Sequence, residues 1–191
     1  MHPVDSALVK RVQRNEAGAM DELIRATYSD VFSLCRRMLG NREDAADATQ
    51  EVFIRVVRGV LAFRGESAFA TWLHSVTVNV CLSHIKKRQR VPSAGFQDFD
   101  VTAQDLAASD DVEDTVATSI DSADLAARMG WALDQLPDDA RTVVVLRDVQ
   151  ELSTKEVAAM LDVSESVVKV RLHRAHARLR ELIGHQRSDD D

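Results

Sequence analysis

Apolar residues recur at intervals of three and four along most of the chain, which is the spacing of the buried face of an amphipathic helix. One such stripe includes Val31, Leu34 and Met38 and stops at Gly40, a residue suited to end a helix. Asn41 follows at once and can cap the start of another helix. Alternating runs of Val, Thr and Tyr, which are typical of strands, are scarce. The pattern therefore predicts an all-α fold.

The sharpest local signal lies in the C-terminal part of the chain. Ser153 and Glu156 have the spacing of a capping box and predict the start of a short helix. A tight turn over residues 162–164 leads to a longer helix. Its predicted core face is Val168, Leu172, Ala175, Leu179 and Leu182. A short helix, a turn and a second helix predict a helix-turn-helix motif.

Charge is distributed unevenly along the 191 residues, which carry 24 basic and 31 acidic side chains. Residues 91–124 contain nine of the acids and no Lys or Arg, and Asp189, Asp190 and Asp191 end the chain. The remaining residues are therefore net positive, although the whole chain has a net charge of −7. We predict a helical domain over 1–90, an acidic flexible linker over 91–124, a second helical domain over 125–183 and an acidic tail over 184–191.

Several classes of protein are disfavoured by what the sequence lacks. Cys35 and Cys81 both fall in apolar helical patterns, which indicates reduced core cysteines in a cytoplasmic protein. His173 and His176 have no third ligand beside them, so we expect neither a metal nor another cofactor. There is no catalytic motif, signal sequence or membrane-spanning run, so we expect a soluble protein that is not an enzyme.

The second helix of the predicted motif has a composition suited to DNA. Residues 165–183 include five Lys or Arg against two Glu, and the major groove presents base edges with phosphates at its rim. We expect the outward-facing residues to be Glu165, Ser166, Lys169, Val170 and His173. A solvated amphipathic helix is the alternative, but the capping box and the turn before this helix favour DNA binding.

Three segments, taken together, resemble an extracytoplasmic-function sigma factor, and the resemblance covers nearly the whole chain. Residues 44–53 (DAADATQEVF) resemble region 2.2, and residues 63–73 (FRGESAFATWL) resemble the segment that follows it. Residues 136–141 (LPDDAR), with the helix-turn-helix, resemble region 4. The resemblance implies a subunit that gives bacterial RNA polymerase its promoter specificity. Its implied partners are core polymerase, through the beta-prime coiled coil and the beta flap, promoter DNA and an anti-sigma factor.

The resemblance also implies roles for individual residues. Core-polymerase binding is expected on the outer face of the acidic helix, at Asp44, Asp47, Gln50 and Glu51. A loop would trap a flipped-out base of the minus-ten element, an amide would read a base edge, and a basic run would hold phosphates. The residues implied for minus-ten binding are Phe63, Arg64, Ser67, Phe69, Asn79, Lys86, Lys87, Arg88 and Arg90. Those implied for minus-35 binding are Ser164, Glu165, Ser166, Lys169, Arg171, His173, Arg174 and Arg178.

Other interpretations of these residues remain open. The acidic face is equally typical of an ordinary solvated surface, and Phe63, Phe69 and Trp72 could all belong to a core. Val170 stands where the family commonly has a small polar residue, and Ser166 where it has Gly, so the sequence does not predict the minus-35 consensus. The rival function is a helix-turn-helix regulator whose N-terminal domain dimerises or senses a signal.

Overall fold

The computed structural model describes residues 1, 4–89 and 122–189, with side chains described for residues 1, 4–88 and 127–184. The chain divides into two compact units, one within Met1–Pro92 and the other within Ser93–Asp191. Every regular element of the described residues is helical, which confirms the all-α prediction. Most of the predicted linker, and Arg90 before it, lie outside the described residues.

Four α-helices and one short 3-10 turn form the N-terminal unit. They are α1 (Ser6–Gln13), α2 (Ala19–Leu39), α3 (Arg42–Gly59), the 3-10 turn (Val60–Ala62) and α4 (Phe69–Gln89). Gly40 ends α2 in the left-handed conformation, at φ 77°, which a residue without a Cβ adopts at little cost. Asn41 then caps α3, because its side chain accepts a hydrogen bond from the Asp44 backbone N–H at 2.8 Å. Both predicted helix boundaries are confirmed.

The core of this unit lies among α2, α3 and α4. Fully buried aliphatic side chains from the three helices fill it, and each contributes about 1.5–3 kcal/mol through removal from water. The largest of them are Leu23, Val31, Met38, Leu39, Val52, Val56, Leu73, Val78 and Val80. Cys35 and Cys81 are also buried within this unit, as predicted for core cysteines.

The C-terminal unit contains four further helices. They are α5 (Ser122–Asp134), α6 (Asp138–Val144), which continues into a π-helical turn (Val145–Val149), α7 (Thr154–Leu161) and α8 (Glu165–Asp189). Helix α5 begins inside the segment predicted as linker, and α8 extends into the predicted acidic tail. Both helices therefore extend beyond the boundaries that the charge pattern suggested.

The packing of α8 matches its predicted core face. Ala175 and Leu179 are buried in a cluster with α5 and α6, and Leu172 and Leu182 pack against that cluster. Val168 is also buried. The prediction that Val170 faces outward is wrong, because Val170 is 3% exposed. Its isopropyl group lies in the interior of the unit, where an apolar side chain is stabilised.

A buried arginine joins α5 to α6. Arg141, 5% exposed, donates hydrogen bonds to the carbonyl oxygens of Leu133 at 2.8 Å and Leu136 at 2.6 Å. It also pairs with the Asp138 carboxylate at 3.1 Å. The Leu133 carbonyl also accepts from the Leu136 backbone N–H at 3.1 Å, so the guanidinium adds a second donor there and supplies a donor to the Leu136 carbonyl just beyond the end of α5. This contact fixes the turn at Pro137.

Among the described residues, no helix has both the length and the apolar character needed to cross a membrane.

Candidate protein- and DNA-binding surfaces

The start of α3 is tied to the end of α4 by an ion pair. Arg88 Nη1 lies 2.9 Å from Asp44 Oδ2, and Asn41 Nδ2 donates to the same oxygen at 2.6 Å. Arg88 also donates to the Leu39 carbonyl at 3.4 Å. The sequence assigned Asp44 to polymerase and Arg88 to DNA phosphates, whereas the structure brings these two residues together. Their first role is to hold the two helix ends in register.

Glu51 occupies a similar internal network on the outer side of α3. Its carboxylate accepts hydrogen bonds from Arg55 at 2.5 Å and from His84 Nε2 on α4 at 3.0 Å. The hydrogen bond with His84, followed by that with Arg55, lowers the pKa of Glu51 below its usual value. Asp47 and Gln50 remain exposed on the same helix. The four predicted polymerase contacts thus divide into two paired and two outward-facing side chains.

An apolar groove lies between α2 and α3, beside Gln50. Ile24, Tyr28, Phe53 and Val57 contribute to its lining. Tyr28 stacks on Phe53 with ring centroids 6.0 Å apart and planes 5° apart. Large apolar side chains that remain exposed, here Tyr28 and Val57, make the groove a candidate binding surface. This groove was not among the surfaces predicted from the sequence.

Two exposed apolar residues on α3 carried the signal for it. Ile54 is 51% exposed and lines the groove, as does Val57 at 44%. Both lie outside the stripe that packs into the core, and an apolar residue on the solvent side of an amphipathic helix is the departure to look for. Charged residues on the same outer face, Glu51, Arg55 and Arg58, obscure this signal in the sequence.

Three aromatic rings support the segment predicted to trap a base. Phe63 and Phe69 meet edge to face with centroids 5.5 Å apart, and Trp72 lies 5.6 Å from Phe63 and 5.3 Å from Phe69. Trp72 also approaches the backbone of Gly59 so closely that a Cβ there would lie 3.0 Å from the indole. The arrangement fixes both ends of the intervening loop.

The aromatic residues of this loop differ in exposure. Phe69 is 5% exposed and begins α4, so the expectation that it contacts DNA needs correction: its ring is buried and packs against Phe63 and Trp72. Phe63 is partly buried, and Arg64 and Ser67 are exposed. A base stacked on this unit would meet the loop and the accessible edge of Phe63.

The outer face of α4 carries the other residues predicted for the minus-ten element. Asn79, Lys86 and Lys87 are exposed, and the Asn79 carbonyl accepts a hydrogen bond from the Ser83 hydroxyl at 2.8 Å. Because the Asn79 residue is exposed, its side-chain amide is accessible to solvent. Two adjacent lysines at a helix end form a positive surface suited to phosphates.

The helix-turn-helix has the local geometry that the sequence predicted. Glu156 N–H donates to Ser153 Oγ at 3.2 Å, and Ser153 N–H donates to Glu156 Oε2 at 2.8 Å, which completes the capping box. The Ser153 hydroxyl also donates to Glu156 Oε2 at 2.6 Å, and this hydrogen bond, followed by the one from the Ser153 backbone N–H, lowers the pKa of Glu156. Asp162 makes the turn in the left-handed conformation, at φ 57°. The motif is thus fixed by local contacts.

The start of α8 presents several side chains to solvent. Glu165, Ser166, Lys169 and His173 are exposed there. Ser164 Oγ accepts a hydrogen bond from the Val167 backbone N–H at 3.3 Å and so acts as a helix cap.

The cations of α8 are less available than the sequence suggested. Arg171 is partly buried, with its side chain 24% exposed, and its Nε lies 3.5 Å from Asp139 Oδ2. Arg178 pairs with Glu181 at 2.9 Å on the exposed side, and Arg174 is partly buried. Lys169 is therefore the exposed cation nearest the start of the helix.

The histidine near the end of this surface takes part in an ion pair. His176 Nε2 lies 2.6 Å from Asp148 Oδ2, at the π-helical turn. Among the residues that the structure describes, there is no group of three or more His, Cys, Asp or Glu arranged to hold a metal ion.

Comparison with known families assigns both units. Residues 23–91 match the model of Sigma-70 region 2, and residues 126–179 match that of Sigma-70, region 4. The RNA polymerase sigma-H factor of Pseudomonas aeruginosa is 33% identical over 177 residues, which cover 90% of this chain and 89% of that protein. SigW of Bacillus subtilis, an ECF RNA polymerase sigma factor, is 30% identical over 180 residues, covering 92% and 94%.

A solved structure shares the fold. The sigma factor RpoE from Bartonella quintana, crystallised with the anti-sigma factor NepR, has a TM-score of 0.54 and 19% identity, over 88% of this chain and 98% of that one. The matches to both regions favour a sigma factor over a helix-turn-helix regulator with a sensing domain. The chain belongs to the extracytoplasmic-function family of RNA polymerase sigma factors and directs promoter-specific initiation of transcription.

Proposed function

We propose that the N-terminal unit, residues 1–90, binds core RNA polymerase and opens the minus-ten element, while the C-terminal unit, residues 125–183, binds the minus-35 element. The observation that carries this division is the presence of chemically different exposed surfaces on the two units. The N-terminal unit has an apolar groove and an aromatic-supported loop, and the C-terminal unit has a polar recognition helix. The chain acts by binding, without a catalytic step of its own.

The groove between α2 and α3 is the docking surface for the beta-prime coiled coil of polymerase. A coiled-coil partner presents a helix with apolar side chains along one edge, which suits a groove lined by Tyr28, Phe53 and Ile54. Asp47 and Gln50 add exposed polar groups beside it. Desolvation of large apolar side chains supplies most of the affinity at such surfaces, and neighbouring charges set the orientation.

Asp44 and Glu51 take supporting roles in this proposal. Asp44 is paired with Arg88, and Glu51 with Arg55 and His84, so each would have to give up an internal partner to bind polymerase directly. They hold α3 against α4 and thereby keep the groove in shape.

The loop from Arg64 to Ala68 receives the flipped-out base of the minus-ten element. An unstacked base loses stacking energy that an aromatic surface and polar groups can restore, and Phe63, Arg64 and Ser67 provide both. Asn79 offers a donor and an acceptor for a base edge. Lys86 and Lys87 hold phosphates, joined by Arg90 and, when released from Asp44, by Arg88.

The start of α8 enters the major groove of the minus-35 element. Lys169 provides an exposed cation and His173 an exposed hydrogen-bonding group on the same face of the helix. Glu165 and Ser166 lie about one turn before Lys169. Arg174 and Arg178 lie farther along, toward the phosphate rim. Arg171 orients the helix through its ion pair with Asp139. The protein partner of the C-terminal unit is the beta flap of polymerase.

An anti-sigma factor controls the protein in this proposal. The crystallised relative from Bartonella quintana, which shares the fold, is bound by such a factor. The apolar groove between α2 and α3 would lose its accessible surface if an anti-sigma helix filled it, and polymerase would then be excluded. The chain would work in the cytoplasm. When it is not directing transcription, an anti-sigma factor anchored in the membrane would hold it at the membrane surface.

The groove can be tested with a matched pair of substitutions. Ile54→Glu places a charge among the apolar residues of the groove, and Leu61→Glu places the same charge at a side chain that is 55% exposed but does not line it. We expect Ile54→Glu to weaken binding to core polymerase more than about tenfold and Leu61→Glu to leave it within about twofold, measured by fluorescence competition. Equal affinities for the two variants would disprove docking at the groove.

A further inference from the structure

Helix α1 lies before the residues that match region 2, yet it contacts the turn that leads into the proposed base-binding loop. Leu8, Val9 and Val12 are buried against the rest of the unit. The last residue of the helix, Gln13, donates through Nε2 to the carbonyl oxygens of Val60 at 3.0 Å and Phe63 at 2.7 Å. The two acceptors are 47 and 50 residues away in sequence.

These two carbonyls belong to the first residue of the 3-10 turn Val60–Ala62 and to the residue that follows the turn. The Phe63 backbone N–H also donates to Val60, at 3.2 Å, so one amide group reinforces the hydrogen bond that closes the turn. A primary amide carries two N–H donors and can serve two acceptors at once. A carboxylate of the same shape has no donor and would place negative oxygen against both carbonyls.

Helix α1 is itself held in place from its other side. Arg11 pairs with Glu22 at 2.8 Å and with Glu16 at 3.2 Å, at the start of α2 and the segment before it. Its N-terminus is capped by Asp5, which accepts from the Ala7 N–H at 2.8 Å. Helix α1 thus also has contacts with α2 and the segment before it that do not involve the loop.

We propose that Gln13 is a positioning residue that fixes the entry of the Arg64–Ala68 loop for capture of the flipped base. The proposal depends on the function proposed for that loop. Phe63 is the last residue before the loop, and its carbonyl is held by Gln13 while its ring packs on Phe69 at the loop's far end. Both ends are thus fixed before DNA arrives, which reduces the entropy lost when the base binds.

The test compares three variants in reconstituted holoenzyme. Gln13→Glu removes both donors and keeps the side-chain shape, whereas Val12→Ala loosens the buried face of the same helix and leaves the amide in place. We expect Gln13→Glu to weaken binding of a single-stranded non-template minus-ten oligonucleotide about tenfold, with core affinity unchanged. Gln13→Ala should act in the same direction. If Val12→Ala, at equal loss of stability, weakens oligonucleotide binding as much, Gln13 is merely structural.

A second measurement follows the turn without DNA. Hydrogen exchange of the Phe63 amide should accelerate in Gln13→Glu while amides in the middle of α3 keep their protection. Unchanged exchange at Phe63 would overturn the proposal.

Variants of the loop separate this proposal from the one it depends on. If Arg64→Ala and Ser67→Ala weaken oligonucleotide binding but Gln13→Glu does not, the positioning role is wrong and the loop assignment stands. If neither the loop variants nor Gln13→Glu change binding, the loop assignment itself is wrong, and the positioning role with it.

Discussion

The two units expose their proposed contact residues in different ways. In the C-terminal unit, Lys169 and His173 lie exposed on one helix, and local contacts such as the capping box at Ser153 set where the motif begins. In the N-terminal unit, the candidate residues come from several elements, and two of them, Asp44 and Arg88, are bound to each other. A recognition helix can thus be specified locally, whereas a surface for docking and strand opening depends on tertiary contacts.

The units also differ in what stabilises them. The N-terminal unit has a core of large aliphatic side chains from three helices. The C-terminal unit includes a buried ion pair, Arg141 with Asp138, that also satisfies carbonyl groups at the end of α5. Removing one partner of a buried pair leaves groups that neither water nor protein satisfies, so we expect the C-terminal unit to be sensitive to a single polar substitution.

The largest predicted effect tests that sensitivity. Arg141→Met should lower the free energy of unfolding of the C-terminal unit by about 3–5 kcal/mol, which is a large part of the stability of a small domain. The chain has two tryptophans, Trp72 in one unit and Trp131 in the other. Urea unfolding followed by Trp131 fluorescence, in a Trp72→Phe background, measures the effect.

The control is an arginine of the same unit whose ion pair is exposed. Arg178→Met removes a pair with Glu181 whose side chains are 52% and 59% exposed, so it should cost less than about 1 kcal/mol. The N-terminal unit, followed by Trp72 in a Trp131→Phe background, should unfold as before in both variants. An Arg141→Met effect no larger than that of Arg178→Met would contradict the role given to the buried pair.

The second prediction separates the units by function. Lys169→Ala should weaken binding to duplex minus-35 DNA roughly tenfold and reduce its dependence on salt, because an exposed cation on the recognition helix is lost. Asn79→Ala should leave that affinity unchanged and slow promoter opening, because its amide lies on the unit proposed to hold single-stranded DNA. Duplex binding is measured by anisotropy, and opening by 2-aminopurine fluorescence in the non-template strand.

Arg171→Ala sharpens the same comparison. The sequence grouped Arg171 with Lys169 as a DNA contact, but its guanidinium is partly buried beside Asp139. We therefore expect Arg171→Ala to lower the stability of the C-terminal unit, and to change the salt dependence of DNA binding less than Lys169→Ala does.

If Asn79→Ala and Lys169→Ala affect duplex binding and promoter opening to equal degrees, the proposed division of function between the units is wrong.

Local signals in the sequence carried much of the fold. The helix boundary at Gly40 and Asn41 and the capping box at Ser153 follow from hydrogen bonds between residues a few positions apart, so their residue types alone predict them. The spacing of Ala175 and Leu179 predicted the core face of α8 for the same reason. The burial of Val170 was missed because helical spacing alone does not reveal a second packing partner.

The candidate sites were less predictable because they depend on pairs distant in sequence. The pairing of Asp44 with Arg88 spans 44 residues, and nothing in either local pattern indicates it. The DNA-binding role of Phe69 was implied by the resemblance alone, whereas its packing against Trp72 accompanies its burial. The groove lined by Ile54 and Val57 was predictable in principle, since these exposed apolar residues interrupt the polar face of α3.

The smallest predicted effect concerns the internal pairing of the N-terminal unit. His84→Ala removes the hydrogen bond that most lowers the pKa of Glu51, so that pKa should rise toward its ordinary value. The pKa of Glu51 is lower in the folded state than in the unfolded state. The stabilisation that the Glu51–His84 hydrogen bond provides is therefore fully present above the unfolded pKa and is lost as pH falls through the folded pKa. The stability difference between the native chain and His84→Ala should therefore shrink in acid.

Carbon-13 NMR titration of the Glu51 carboxyl measures the pKa shift. The control is His173→Ala, which changes an exposed histidine of the other unit and should leave the Glu51 pKa unchanged. If Glu51 titrates identically with and without His84, the two helices are not coupled through this pair, and the supporting role proposed for Glu51 fails while docking at the groove is unaffected.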